Sequence, residues 1–201
     1  MRKAALTLAL ALFAAPVSAQ ESPAKSSTTG FSLNAHISGA SLRITENNDS
    51  ETESGGGIGL HVGYGFSPRF LMFIGADVAT IDSNDPEIAS NYELAHVELG
   101  ARYSFANPQS RWVPYLQASL GGRSVSAETI RGDFEARGGV FSIGGGVQYF
   151  LSRKVALNGA VFWSGGEFST ISLNGIGVTN AEIDATSTRL NLGVAWYPRG
   201  Q

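Results

Sequence analysis

The residues best equipped for chemistry are three histidines, His36, His61 and His96, together with Asp77, Glu98, Arg102, Arg123 and Arg189. Two imidazoles and a carboxylate make a zinc ligand set. A histidine paired with an acid can also activate a serine when all three meet in space. Glu98 and the arginines suit an ion-pair network, because charge removed from water must be paired and hydrogen-bonded. The stronger reading of the histidines is structural: they fill an interior and hydrogen-bond with Asn34, Gln117, Gln148, Asn158 and Asn191. A triad is defined by geometry, which composition does not supply. No residue is therefore assigned a catalytic, cofactor-binding or metal-binding role.

Other chemistry is weaker still. Asp82-Ser83-Asn84-Asp85-Pro86-Glu87 alternates oxygen ligands that suit a hard cation, but lacks the spacing and glycine of a calcium loop. It reads as a solvated acidic loop, as does Thr45–Gly56. Gly55-Gly56-Gly57 and Gly144-Gly145-Gly146 lack the lysine and helix of a phosphate loop. Zero cysteines exclude disulfides and thiolate chemistry. A formal charge of -3 argues against nucleic acid as a partner.

The elements that must position these residues begin with a leader. Met1-Arg2-Lys3 is basic, Ala4 to Val17 is apolar, and Val17-Ser18-Ala19 is a small-residue cleavage site. The apolar run is shorter than the ~20 residues of a spanning helix, so residues 1–19 are expected to be a cleaved signal peptide. Residues 20–29 form a polar lead-in. From Gly30 the apolar pattern has period two. Eight runs follow: Gly30–Ile44, Gly57–Phe66, Phe70–Ile81, Leu94–Phe105, Trp112–Val125, Gly139–Phe150, Val155–Ser164 and Ser187–Tyr197. Short turns at Ser67–Arg69, Ala106–Arg111 and Leu151–Lys154 alternate with expected long loops at Thr45–Gly56, Asp82–Glu93, Ser126–Gly138 and Gly165–Thr186. That alternation describes an all-β, eight-stranded, antiparallel up-and-down barrel over residues 30–197, with a short tail at 198–201. Those loops hold the acidic residues apart from Glu21, Asp77 and Glu98, while the short turns carry Arg69, Arg111, Arg153 and Lys154.

Parity decides which face is inside. Ile58, Leu60, Val62, Tyr64 and Phe66 alternate with Gly57, Gly59, His61, Gly63 and Gly65. Phe70–Ile81 is apolar on both faces apart from Asp77 and Thr80, so its phase is the least defined. An arginine on a lipid-facing wall costs about 2–4 kcal/mol at the bilayer midplane. Asp77, Glu98, Arg102, Arg123 and Arg189 all oppose the apolar parity, and an eight-stranded lumen has room only for side chains. Arg43 shares the apolar parity but sits at a loop end, where the cost falls to ~0–1 kcal/mol. The lumen is thus expected to hold the eight residues named at the outset. Phe31, Phe66, Phe70, Tyr103, Phe105, Trp112, Tyr149 and Trp196 gather beside the short turns, as an aromatic girdle at one membrane interface does, with Phe141 and Trp163 marking the other.

Pro114-Tyr115-Leu116-Gln117-Ala118-Ser119-Leu120-Gly121 and Gly144-Gly145-Gly146-Val147-Gln148-Tyr149-Phe150-Leu151-Ser152 carry a resemblance. The chain resembles small outer-membrane β-barrel proteins, the group of the OmpA-like transmembrane domain and the opacity-type porins. The likeness runs from about Gly30 to Tyr197. Members of that group usually end on an aromatic residue, whereas here Trp196-Tyr197 is followed by Pro198-Arg199-Gly200-Gln201. The resemblance implies a bacterial outer-membrane location and outer-membrane lipid as a partner. The expected role is non-enzymatic, structural or surface-interacting, with an extracellular ligand met through the acidic loops and no cofactor. The rivals are a narrow pore, a lipid-modifying barrel enzyme and a soluble lipocalin-like binder.

Overall fold

The computed structural model describes residues 28–46, 49–82, 91–105, 110–129, 132–174 and 176–198. The leader, most of the lead-in, residues 83–90 of the expected Asp82–Glu93 loop (with all of the cation candidate but Asp82), residues 106–109 of the Ala106–Arg111 turn and the last three tail residues lie outside them. Eight strands follow in chain order: β1 (Gly30–Glu46), β2 (Asp49–Gly65), β3 (Phe70–Ile81), β4 (Tyr92–Ser104), β5 (Trp112–Thr129), β6 (Gly132–Phe150), β7 (Val155–Leu173) and β8 (Ile176–Trp196). Each pairs antiparallel with the next, and β8 closes on β1. Following partners from Phe31 through Tyr64, Met72, Ala101, Ala118, Ile143, Trp163 and Thr188 returns to β1 at Ser41, ten residues further on. That offset is the shear that closing a tilted sheet requires.

Alternation survives intact on β3, whose burial switches at every residue. Its phase is now fixed: Leu71, Phe73, Asp77 and Ile81 point inward, while Met72, Ile74 and Val78 point outward. The outer wall is apolar from strand to strand, with Ile37, Ile58, Leu99, Leu120 and Leu192 all more than half exposed. In water such a wall would be an aggregation surface; in lipid it is the expected solvent face.

Three of the four expected long loops are strand instead. Most of Thr45–Gly56, Ser126–Gly138 and Gly165–Thr186 is paired backbone, with β1–β2 running out to the partners Glu46 and Asp49 and β5–β6 to Thr129 and Gly132. Beyond the apolar wall the outward face of a hairpin meets water, and the inward face holds Ala127, Ala136, Phe168 and Ala185, so the period-two signal weakens. Backbone pairing needs no such signal. Two register shifts, at Arg137/Gly138 and at Phe168/Thr170, bend this projecting sheet.

The interior is layered. At the long-hairpin end Leu42, Ile81, Tyr92, Leu94, Val125 and Phe168 form an apolar cluster. At the short-turn end Leu71, Phe73, Val113, Phe150 and Tyr197 form another, with Phe150 stacked on Tyr197. Polar side chains fill the space between. Glycines make this filling possible: a Cβ at Gly59 would meet His36 Nε2 and Asp77 Oδ1, one at Gly75 the His61 ring, and one at Gly100 the Phe73 ring. The high glycine content is thus partly space for a neighbour's larger side chain.

Candidate functional site: the lumenal polar layer

β1, β2 and β3 bring His36, His61 and Asp77 together. In the register His36 lies opposite Gly59, and Gly59 opposite Asp77, so the glycine lets two side chains meet across an intervening strand. His36 Nε2 lies 2.6 Å from Asp77 Oδ1 and His61 Nε2 3.1 Å from Asp77 Oδ2. The two imidazoles meet edge to face at 4.9 Å, and His61 stacks on Phe73. His36 Nδ1 lies 3.2 Å from Asn34 Oδ1, which fixes the ring.

Arg189, from β8, joins this group to Glu98 on β4. Its Nη1 is 3.3 Å from Asp77 Oδ2 and its Nη2 donates to Glu98 Oε1. Ser119 Oγ donates to Glu98 Oε2 at 2.7 Å and Ser142 Oγ to Oε1 at 3.0 Å, with Ser164 a further 2.8 Å from Ser142. These serines serve the carboxylate, so the layer's acid is held by hydroxyls and a guanidinium. Among the described residues no histidine reaches a serine hydroxyl.

The expected four-member network of Glu98 with three arginines is smaller than the sequence suggested. Among the described residues, Arg189 alone pairs with the lumenal acids. Arg102 donates to Gln117 Oε1 from Nε (3.0 Å) and Nη2 (2.8 Å) and lies over the Tyr115 ring. Arg123 donates to the carbonyls of Gly166 and Ala185 and covers the Phe168 ring. Both donate to neutral oxygens and lie against π faces instead of pairing with Glu98, and Arg123 Nε and Nη1 are buried without a hydrogen-bond partner among the described residues. His96 stands across the register from Asp77 and from Arg123. It is buried, but its Nε2 has no hydrogen-bond partner among the described residues.

The amides expected around the histidines divide up. Only Asn34 reaches one of them; Gln148 accepts from the Tyr197 hydroxyl and Asn158 from that of Tyr115, each at 3.0 Å. Sequence reasoning missed the inward aromatics Phe73, Tyr115, Phe150 and Phe162, which seal and wall the polar layer. Their inward parity was the available signal, masked because these strands are apolar on both faces near their ends.

The wall aromatics lie outside the lumen. Phe31, Phe66, Phe70, Tyr103, Phe105, Trp112 and Trp196 are exposed and Tyr149 half-buried, all at the short-turn end. Neighbours touch: Tyr64–Phe66, Tyr103–Phe105 and Trp112–Tyr149. Phe141 and Trp163 are exposed nearer the other end.

A closed eight-stranded barrel with an apolar outer wall and a packed polar lumen narrows the family, and a family model decides it. The outer membrane protein beta-barrel domain matches residues 5–197. The chain belongs to the outer-membrane β-barrel family. Its location is the bacterial outer membrane. No curated protein matches the chain. Among solved structures, Neisserial surface protein A is similar at 20% identity and TM-score 0.63, covering 84% of this chain and 97% of that one. Ail, the attachment invasion locus protein of Yersinia pestis, shares 11% identity at TM-score 0.51, covering 84% and 100%. OprG from Pseudomonas aeruginosa shares 15% at TM-score 0.52, covering 86% and 98%. At these identities the likeness is one of fold, and the barrel's own lumen and rim must carry any functional reading.

Proposed function

We propose that this barrel is a non-enzymatic surface protein whose projecting hairpins make its contacts, with the short turns in the periplasm. The observation that carries this reading is the filled lumen. Two apolar plugs enclose a hydrogen-bonded polar layer, which leaves the rim as the surface free to meet a ligand. At the rim an open groove of about 570 Å³ is lined by Glu93, Glu128, Asp133 and Glu135 together with Asn91, Ser126 and Phe134. Glu135 is paired with Arg137 at 2.7 Å; the remaining carboxylates around the groove favour a cationic ligand, steered by charge and weakened by salt. Ail has been solved with the heparin analogue sucrose octasulfate, a polyanion; an acidic rim suits the opposite charge. The exposed aromatics at the short-turn end act as the interfacial girdle that sets the barrel's depth in lipid.

The test has two arms. Purified barrel in planar bilayers is expected to be silent, and vesicles carrying it are expected to bind polylysine in a salt-sensitive way and not heparin. Replacing Glu93, Glu128, Asp133 and Glu135 by their amides should abolish that binding. Steady conductance from the intact barrel would instead support the narrow-pore reading and overturn this one.

A further inference from the structure

We propose that His36, His61 and Asp77 form a buried site for one divalent transition-metal ion, zinc being the ion whose preferences they match. Their donor atoms, one from each residue, all lie within 4.8 Å of one another, and all three residues are buried. Two imidazoles and one carboxylate are a recurrent open zinc set, leaving a fourth position for water. The site is independent of the rim and of any contact made there.

Two observations support it. The first is the orientation of His36: its Nδ1 lies 3.2 Å from the Asn34 side-chain amide, and its Nε2 faces Asp77 Oδ1 at 2.6 Å. A ligand histidine whose other nitrogen is held by a carbonyl oxygen is the arrangement that orients metal-binding imidazoles.

The second is reach. Gly59 and Gly75, lacking a Cβ, let His36, Asp77 and His61 pack against one another. Ligand atoms on one zinc at 2.0–2.1 Å stand roughly 3.3 Å apart, so the His36–Asp77 pair opens by less than ~1 Å, and no donor pair, all within 4.8 Å, has to close by more than ~1.5 Å. Because apolar plugs close both ends, the ion is taken up while the barrel folds and is then released slowly.

Untagged barrel, refolded in detergent micelles with Zn²⁺ or Co²⁺ and then desalted, tests this directly. About one ion per folded chain is expected, resistant to brief chelation, with Co²⁺ giving the visible bands of a low-symmetry nitrogen–oxygen site. His36→Gln and His61→Gln should each remove the ion, while His96→Gln keeps it. Asn34→Ala should weaken retention roughly 10- to 100-fold, as loss of an orienting partner does. Heat-modifiable gel migration identifies folded material for each variant. If the histidine variants fail to fold, Asn34→Ala and the wild-type cobalt spectrum carry the test. Folded wild-type barrel that retains no ion overturns the proposal, as does retention unchanged by Asn34→Ala or by the His36→Gln/His61→Gln pair. In either case a proton occupies the His36–Asp77 contact.

Discussion

Phe150 and Arg189 are both almost wholly buried inside one barrel, yet they are held by opposite physics. Phe150 belongs to a plug at the short-turn end, where apolar rings exclude water and the Tyr197 hydroxyl is taken by Gln148. Arg189 sits between the plugs and bridges two carboxylates. The plug gains from burial alone, at ~25 cal/mol per Å². The polar layer gains little net from burial and is stable only while its charges stay matched. The two depend on each other: the plugs exclude water from the layer, and matched charges let the layer fill the lumen without water.

The contrast is most directly broken at Arg189. Arg189→Met leaves Asp77 and Glu98 facing each other without their shared cation, and should cost about 3–5 kcal/mol. Urea unfolding of the barrel in lipid vesicles, followed by gel migration, would read it. Glu98→Gln should cost distinctly less, because Arg189 keeps Asp77; equal losses would mean that the two carboxylates do not share the guanidinium. Phe150→Ala tests the plug, with a loss of about 3 kcal/mol from the cavity left beside Tyr197. If that variant also conducts in planar bilayers, the plug and not the polar layer is the barrier to ions.

The outer wall supplies the next comparison. Leu99 lies on the exposed face of β4, beside the inward Glu98. Leu99→Arg should destabilise by ~2–4 kcal/mol in a bilayer, while the same charge one residue along is native to the lumen. Gly59→Val sharpens the role of the glycines. Its new side chain would meet His36 and Asp77, so overpacking of ~1–3 kcal/mol is expected in the same assay. The smallest effect belongs to His96→Gln. His96 Nε2 has no partner among the described residues, so less than ~1 kcal/mol should be lost. A larger loss would show that His96 belongs with the His36–Asp77 group.

How much was legible in the sequence follows the same division. β3 was readable to the residue, Phe70–Ile81, because lipid on one side and lumen on the other enforce its limits. The outward ends of β2, β6, β7 and β8 look like loops in the sequence, because Thr52, Ser54, Glu135 and Thr186 face outward where lipid no longer requires an apolar wall, and the inward face there is largely alanine and glycine. The inward parity of all eight candidate polar residues was visible. Their partners were not: Arg102 and Arg123 looked like members of the Glu98 network and are bound to Gln117, Tyr115, Phe168 and main-chain carbonyls instead.

The sequence by itself determined the barrel, the lipid-facing wall and the side on which each charge lies. Period-two patterning and the cost of charge in lipid act residue by residue, so they are written locally. The tertiary structure alone decided that His36, His61 and Asp77 converge across Gly59, that one arginine serves two acids, and that apolar clusters stand on either side of the polar layer. Those outcomes depend on the shear of the closed sheet, which carries each strand past its neighbours and sets which inward side chains share a level.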